Sequence, residues 1–200
     1  MLRGTRIIEG DEARLFDETT ACLAETVKAR GYHRVFFPSI TEANLFEDKP
    51  GNLWNFKDKG GRDVCLIPEV TVIAKKMFEE RSRRRRKPIR IFYIQRCYRY
   101  ERPQRGRYRE FTQFGIECLG ADQSQDDTLD ILKECLGKFN IPVLYDSAVK
   151  RGLDYYIEDG YEASVEMLGA QKQVAGGGRY DCGQGFAIGV DRLVLACMAA

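Results

Sequence analysis

Two neighbouring stretches decide the fold of this chain: Tyr98-Arg99-Tyr100-Glu101-Arg102-Pro103 and, two residues later, Gly106-Arg107-Tyr108-Arg109-Glu110-Phe111-Thr112-Gln113-Phe114-Gly115-Ile116-Glu117. They belong to two long strand candidates, residues 89–98 and 108–118, which residues 102–106 connect. Every second residue of a strand points to the same face. One face of the second strand therefore carries mostly polar and aromatic residues: Arg107, Arg109, Phe111, Gln113, Gly115 and Glu117.

This polar face indicates a binding pocket. On the first strand, Gln95, Arg99 and Glu101 share a face in the same way. Arginine meets phosphate oxygens through two parallel hydrogen bonds and also stacks on flat rings. The two strands therefore predict a pocket for a charged, planar ligand such as a nucleotide. An exposed face with cross-strand ion pairs would also explain the charges, but it would not explain Phe111 among them.

Helix and strand patterns alternate along the rest of the chain. Apolar residues at helical spacing predict a helix over residues 11–30, with Gly31 as its stop. Pro68 suits the first turn of a second helix, and Ser124 suits the cap of a third. The remaining strand predictions are residues 35–37, a hairpin of 53–56 with 63–67, then 143–145, 153–157, 162–167, 172–175, and a last strand-to-helix unit from 185.

This order of elements predicts an α+β domain with a largely antiparallel sheet flanked by helices. The chain has 200 residues, which suits one well-packed domain, and 44% apolar and 31% charged residues are ordinary for a globular protein. It has no apolar run of membrane-spanning length, and Met1-Leu2-Arg3-Gly4 opens no signal-like segment. We therefore expect a cytoplasmic protein that has no membrane partner.

The cysteine and histidine content argues against a metal site built from side chains. The seven cysteines are scattered singly, with no Cys-x-x-Cys pair, so we expect reduced core residues rather than a zinc site or a disulfide framework. His33 is the only histidine and precedes an apolar segment. A multi-histidine metal site or a Ser-His pair would have to be built around this residue alone.

A dense basic run, Arg81-Ser82-Arg83-Arg84-Arg85-Arg86-Lys87, precedes Pro88. Such a run attracts RNA phosphates through counterion release. A solvated loop between a helix and a strand is the other interpretation, and composition does not separate the two.

Several motifs are more specific. The two opening stretches resemble motif 2 of the histidyl-tRNA synthetases, a class II aminoacyl-tRNA synthetase family. Arg151-Gly152-Leu153-Asp154-Tyr155-Tyr156 and Gly176-Gly177-Gly178-Arg179-Tyr180-Asp181 are similar to its two histidine-binding signatures. Gly185-Phe186-Ala187-Ile188-Gly189-Val190-Asp191-Arg192-Leu193 resembles motif 3, and the first helix with the strand up to Pro38 resembles motif 1. These matches cover most of the chain in family order.

The glycine run at 176–178 has a competing interpretation as a plain turn. A dinucleotide fingerprint fails there, because Asp181 stands where the third glycine belongs, and the chain has no Walker A sequence.

The resemblance implies a protein-biosynthesis ligase that activates histidine with ATP and Mg²⁺ and transfers it to the acceptor end of tRNA. It also implies a homodimer formed through motif 1. Carried over from the family, Arg99 would hold the α-phosphate, Arg107 would reach the terminal phosphates, and Phe111 and Arg192 would sandwich the adenine ring. The ATP-binding set is Arg99, Glu101, Arg107, Tyr108, Phe111 and Arg192, and the catalytic set is Arg99, Arg151 and Arg192.

The same resemblance implies an amino-acid site. Glu69 and Thr71 would hold the α-amino group, and Arg151 would assist at the α-phosphate and the carboxylate. A carboxylate and tyrosine hydroxyls suit the ring nitrogens of an imidazole. The complete set is Glu69, Thr71, Gln113, Glu117, Arg151, Tyr155, Tyr156 and Tyr180.

The chain differs from the family pattern at several positions. Ile67 and Val70 replace the usual Arg and Gly around Pro-Glu, and Ile157-Glu158 replaces Thr-Gly. We expect a single catalytic domain over residues 1–200, without the insertion and anticodon-binding domains. Two alternatives to the tRNA ligase remain open: a histidine-sensing paralogue resembling the regulatory subunit of ATP phosphoribosyltransferase, and a ligase with a non-tRNA acceptor.

Overall fold

The computed structural model describes residues 1–46, 50–82, 86–120, 128–149, 157 and 160–200. Within these ranges the strands, in chain order, are β1 (His33–Arg34), β2 (Ile40–Glu42), β3 (Trp54–Lys57), β4 (Asp63–Leu66), β5 (Ile89–Tyr98), β6 (Glu110–Leu119), β7 (Leu144–Val149), β8 (Gly160–Ser164), β9 (Gln173–Tyr180) and β10 (Gly183–Gly189).

In the part of the chain that the structure describes, the large sheet has seven strands in the order β1-β5-β6-β10-β9-β8-β7. β1 and β5 are parallel, and the other neighbouring pairs are antiparallel. A second antiparallel sheet has the order β2-β4-β3 and contains the predicted hairpin. The prediction of a largely antiparallel α+β fold is therefore confirmed.

Four helices lie in the described residues: α1 (Gly10–Ala29), α2 (Thr71–Arg81), α3 (Thr128–Leu136) and α4 (Val190–Ala199). The first, third and fourth pack on one face of the large sheet and form the main core with residues such as Phe114 and Ile116. α2 packs on the opposite face, against β5 and β6. Both faces of β5 and β6 are therefore covered in part, and alternate residues enter different clusters.

The end of α1 follows its sequence closely. Gly31 has a φ of 80°, its N–H donates to Lys28 at 2.9 Å, and the N–H of Tyr32 donates to Val27 at 3.1 Å. This pair of bonds is a Schellman motif, which needs a residue with positive φ that glycine adopts without steric cost. Asp11 and Glu12 occupy the first turn of α1, where the helix dipole favours negative charge.

The predicted strand over residues 35–37 is wrong. The N–H of Val35 donates to Phe92 at 2.9 Å, but the chain then leaves the sheet, and β1 contains only His33 and Arg34. Phe37 packs edge-on against Tyr93 with ring centroids 6.0 Å apart, while Phe36 is 78% exposed. The side chains alternate as in a strand, but this aromatic contact takes the place of further strand pairing.

The predicted start of α2 at Pro68 is also wrong, because the helix begins at Thr71. Residues 67 and 68 bond to other segments instead. The carbonyl of Ile67 accepts from the N–H of Tyr98, and the carbonyl of Pro68 accepts from Nε of Arg99. These bonds hold the segment against the end of β5 and delay the helix by one turn.

Other strand boundaries differ by a few residues. β6 begins at Glu110 rather than at residue 108, and β7 continues to Val149. β8 ends at Ser164 because residues 166–171 form a 3₁₀ segment. Ser124 and residues 153–156 lie outside the described residues. Among those that are described, no helix combines the length and the apolar character that crossing a membrane requires.

Candidate active site

The site face of β6 carries Phe111, Gln113, Gly115 and Glu117, as the period-two pattern predicts. Phe111 packs with Tyr93 and Cys97 in one cluster, whereas Phe114 and Ile116 enter the main core on the other face. The pairing register places Gln95 opposite Gln113, and Cys97 opposite Phe111. The site face of β5 therefore continues directly into that of β6.

Small residues extend this face across β10 and β9. Glu117 pairs with Gly185, which pairs with Gly178, and Gly115 pairs with Ala187, which pairs with Gly176. Directly paired residues of antiparallel strands point to the same face. These rows form a surface with almost no side chains, which we call the small-residue floor (Gly115, Gly176, Gly178, Gly185 and Ala187).

Two of these glycines make room for particular side chains. A Cβ atom on Gly185 would lie 2.2 Å from Oε2 of Glu117, and one on Gly115 would lie 2.3 Å from the hydroxyl oxygen of Tyr93. The glycines at 176–178 are part of β9, so the interpretation of this run as a turn is wrong. The run pairs through its backbone with β8 and β10.

Glu117 is the most deeply buried acidic side chain at this face, with 1% exposure. Its Oε1 accepts from the Thr71 hydroxyl at 2.8 Å and, at 3.5 Å, from that of Tyr93; its Oε2 accepts from the Tyr180 hydroxyl at 2.5 Å. The pKa of Glu117 is raised to about 7, mainly because the group is buried and in part because of the charge of Glu69, while the hydroxyl donors Tyr180, Thr71 and Tyr93 oppose this shift. Burial together with Glu117 raises the pKa of Tyr180, so that its hydroxyl remains a donor.

Three of the predicted amino-acid residues therefore meet in one contact network: Thr71, Glu117 and Tyr180. Glu69, which is 6% exposed, lies close enough to influence Glu117 electrostatically. Gln113 lies further along the same face and accepts from the Cys97 thiol at 3.3 Å. The sequence interpretation missed Tyr93, although it shares the strand parity of Gln95.

The predicted phosphate-binding residues gather at the other end of the face. The Arg99 guanidinium lies 5.0 Å from the Phe111 ring centroid, and its Nε donates to Pro68 at 3.0 Å. Arg107 forms an ion pair with Glu101. The sequence predicted these residues on the two strands, but both arginines and the carboxylate lie in the segment that joins β5 to β6, and only the Phe111 ring is on a strand.

Arg192 lies close to this group, in the first turn of α4. Its guanidinium donates to the carbonyls of Gly106 at 2.6 Å and Gln173 at 2.7 Å, and to the side chain of Gln171 at 3.0 Å. Burial lowers the pKa of Arg192, and the charges of Arg99 and Arg107 lower it further. The three arginines therefore share one electrostatic environment.

A family model described as histidyl-tRNA synthetase matches residues 4–139. The chain belongs to the histidyl-tRNA synthetase family. A histidine–tRNA ligase from Methanosphaerula palustris is 37% identical over 172 residues, which are 83% of this chain and 39% of that protein. The chain thus spans well under half the length of this relative.

Solved structures agree on the fold. Apo histidyl-tRNA synthetase from S. aureus matches with a TM-score of 0.82 and 24% identity, over 98% of this chain and 69% of that one. An ATP phosphoribosyltransferase regulatory subunit/histidyl-tRNA synthetase from Bacillus halodurans also reaches 0.82, with 14% identity, over 97% and 82% of the two chains. This histidyl-tRNA synthetase family member therefore has the class II synthetase fold.

Two residues at which this histidyl-tRNA synthetase family member differs from the family pattern lie in its core. Ile67 and Val70, which replace the family's Arg and Gly, are both fully buried in the cluster of Phe46, Tyr93 and Cys97. Apolar packing thus occupies positions where the family has a charge and a flexible backbone. Ile157 is 57% exposed. The remaining predicted residues Arg151, Tyr155 and Tyr156, and also Glu158, lie outside the described residues.

Tyr108 is held from the N-terminal side, because the Arg6 guanidinium lies 4.6 Å from its ring centroid. Of the cysteines, Cys65, Cys97, Cys118 and Cys135 are buried, as expected for core residues, whereas Cys22, Cys182 and Cys197 are only partly buried. His33 is exposed on β1, at the edge of the large sheet. The described residues include no group of three or more His, Cys, Asp or Glu side chains suited to a metal ion.

Proposed function

We propose that this chain activates histidine with ATP, forming histidyl-adenylate and pyrophosphate, and passes the histidyl group to the acceptor end of tRNA. The observation that carries the proposal is the Glu117 carboxylate, buried between Thr71 and Tyr180 on the face that also carries Phe111 and Arg99. Membership of the histidyl-tRNA synthetase family supports the same assignment.

The arrangement around Glu117 suits an imidazole. An ionised carboxylate offers about four acceptor positions. Three hydroxyl groups donate to Glu117, which leaves room for one ring N–H. A substrate side chain without that N–H would leave a buried acceptor unpaired, and this is a strong basis for selectivity. Gln113 and, through the family resemblance, Tyr155 and Tyr156 complete the proposed pocket.

The arginines suit the phosphate chemistry. In the proposed step, a carboxylate oxygen of histidine attacks the α-phosphorus of ATP. A new P–O bond forms, the bond to the β-phosphate bridging oxygen breaks, and pyrophosphate leaves with that electron pair. Arg99 would meet the charge that develops on the α-phosphate, together with Arg151 by resemblance, and Arg107 would hold the leaving phosphates. Donors that are fixed before the reaction stabilise such charge effectively.

The proposal also places the adenine base and the Mg²⁺ ion of the nucleotide. Phe111 and Arg192 would enclose the adenine ring, with Glu101 and Tyr108 beside it. Mg²⁺ in nucleotide sites is held largely by phosphates, with one or two carboxylates. We therefore treat Mg²⁺ as part of the ATP substrate, and Glu101, which pairs with Arg107, is the one carboxylate among the proposed ATP-binding residues.

In the second proposed step, a hydroxyl group at the 3′ end of tRNA attacks the histidyl carbonyl carbon, and AMP leaves. A homodimer formed through motif 1 stays a prediction of the same kind.

Histidine-dependent exchange of labelled pyrophosphate into ATP tests the first step. We expect exchange with histidine, little with other amino acids, and loss of it in Glu117→Gln. Histidine binding without exchange would instead assign the chain to the sensing paralogues. Exchange without labelling of tRNA would retain the adenylate chemistry and leave a different acceptor.

A further inference from the structure

We propose that Arg6 and Asp191 set the spacing of the adenine clamp, defined as Phe111 and Arg192, so that the N-terminal segment controls the affinity for the adenine base. Arg6 and Asp191 act as positioning residues and touch no substrate. The inference rests on the proposed function, because the clamp matters only if the chain binds ATP.

Asp191 joins the two halves of the clamp. It lies in the first turn of α4, immediately before Arg192, and is 3% exposed. Its Oδ2 accepts from the backbone N–H of Thr112 at 2.7 Å, and Thr112 immediately follows Phe111. A single hydrogen bond therefore connects the residues that adjoin Phe111 and Arg192 in the chain.

Arg6 holds the second oxygen of the same carboxylate. Its Nη2 donates to Oδ1 of Asp191 at 2.8 Å, and it also forms an ion pair with Glu12. A buried carboxylate needs compensating charge and hydrogen bonds to stay in place. Arg6 and the backbone N–H of Thr112 are two partners of Asp191. Without Arg6, only the Thr112 N–H would remain of these two.

The same segment also contacts the chain that leads into β6. The Arg6 guanidinium lies 4.6 Å from the Tyr108 ring, and the carbonyl of Gly4 accepts from the N–H of Arg109 at 2.8 Å. Gly4 has a φ of 93°, and a Cβ atom there would lie 2.8 Å from the side chains of Arg109 and Pro103. The segment is thus closely fitted against the Phe111 side of the clamp as well.

A simple anchoring role for the N-terminal segment would affect the whole protein evenly. A positioning role affects the base more than the phosphates, because Arg99 and Arg107 are held by Pro68 and Glu101 rather than by Asp191. The two roles are therefore distinguished by comparing ATP with inorganic tripolyphosphate, which has the phosphates and no base.

The experiment measures the Kd of ATP and of tripolyphosphate by calorimetry for the wild-type chain and for Arg6→Ala, Arg6→Lys and Asp191→Asn. Arg14→Ala is the matched control, since Arg14 is exposed on α1 and pairs with Asp11 and Glu18. Misplacement of about 1 Å in a binding group has large effects. We expect Arg6→Ala to weaken ATP binding by about tenfold and tripolyphosphate binding by less than about twofold.

We expect Arg6→Lys and Asp191→Asn to give smaller reductions of the same kind, and Arg14→Ala to give none. If Arg6→Ala does not fold by thermal melting, the comparison rests on Arg6→Lys and Asp191→Asn. Equal reductions for both ligands, or unchanged ATP affinity, would overturn the inference. A wild-type chain that binds no ATP would overturn the proposed function, and the inference with it.

Discussion

The hydroxyl oxygen of Tyr180 lies 2.5 Å from Oε2 of Glu117, although their strands, β9 and β6, are separated by β10. Strands two places apart in a sheet are about 9–10 Å apart. The two side chains meet because the intervening strand has glycines, Gly183 and Gly185, at the positions between them. The contact therefore depends on three strands together.

Tyr180→Phe removes one of the three hydroxyl donors to Glu117. Since that hydroxyl lowers the pKa of Glu117, we expect this pKa to rise above about 7 in the variant. The KM for histidine should increase by about tenfold, with a smaller change for ATP. Pyrophosphate exchange measured from pH 6 to pH 9 checks both effects, and Tyr145→Phe on the exposed edge strand β7 is the control. An unchanged pH profile would contradict the assignment.

Glu117→Gln tests the buried carboxylate through stability. The pKa of Glu117 in the folded chain, about 7, lies above the ordinary value of 4.5, so folding favours the protonated form. The stabilising contribution is complete below pH 4.5 and is lost as the pH rises through 7. Relative to wild type, the glutamine variant should gain about 3 kcal/mol in free energy of unfolding over this interval. Urea unfolding at pH 4.5, 6 and 8 measures the difference in unfolding free energy between the two proteins. A difference that stays the same at all three pH values would refute the prediction.

Gly185→Ala adds a methyl group to the small-residue floor. Its Cβ would lie 2.2 Å from Oε2 of Glu117 and 2.3 Å from the carbonyl oxygen of Ile116, and the backbone contact is difficult to relieve. We expect a decrease of about 2 kcal/mol in unfolding free energy and weaker histidine binding. Gly51→Ala is the control, because a Cβ there has no heavy atom within 4 Å. Equal stability of the two variants would be inconsistent with this packing.

Arg99→Lys retains the charge but removes the planar guanidinium that lies over Phe111 and donates to Pro68. Lysine cannot offer two parallel hydrogen bonds to a phosphate. We expect the rate of pyrophosphate exchange to fall by about 10²-fold at saturating substrates, with the KM for histidine nearly unchanged. Arg96→Lys, at an exposed position on β5 three residues earlier, should retain wild-type exchange. A decrease of similar size there would remove the special role of Arg99.

The basic run from Arg81 to Lys87 provides a test of RNA affinity. If these residues bind phosphates, replacing Arg83, Arg84 and Arg85 with Gln should flatten the dependence of log K on log salt by about 0.9 for each phosphate that the variant no longer binds. Replacing the exposed Lys133, Lys138 and Lys172 gives the same change of charge at another place. Filter binding of a tRNA at low and at high salt provides the slopes, and an unchanged slope in the arginine variant favours a solvated loop.

Much of this architecture follows from local sequence. The bounds of β5, the turn after α1 and the shared face of Phe111 and Glu117 depend on alternation and on one glycine, and these are properties of short segments. The sequence did not predict a role for Tyr93, because the position of this side chain over Gly115 depends on pairing between two strands. The later start of α2 was not predicted for a similar reason. The carbonyls of Ile67 and Pro68 accept hydrogen bonds from the last residue of β5 and from the residue that follows it.

The small-residue floor has a consequence for changing the substrate. Four of its five residues are glycines and the fifth is an alanine. On this side of the proposed pocket, substitution with a smaller residue could therefore remove only one methyl group, that of the alanine. Space for a larger amino acid must therefore come from the larger side chains around this floor, at Thr71, Tyr93 or Tyr180. Because each of these donates to Glu117, enlargement of the pocket and loss of the imidazole partner are coupled, and a chain redesigned for a bulkier substrate will need a new partner for that carboxylate.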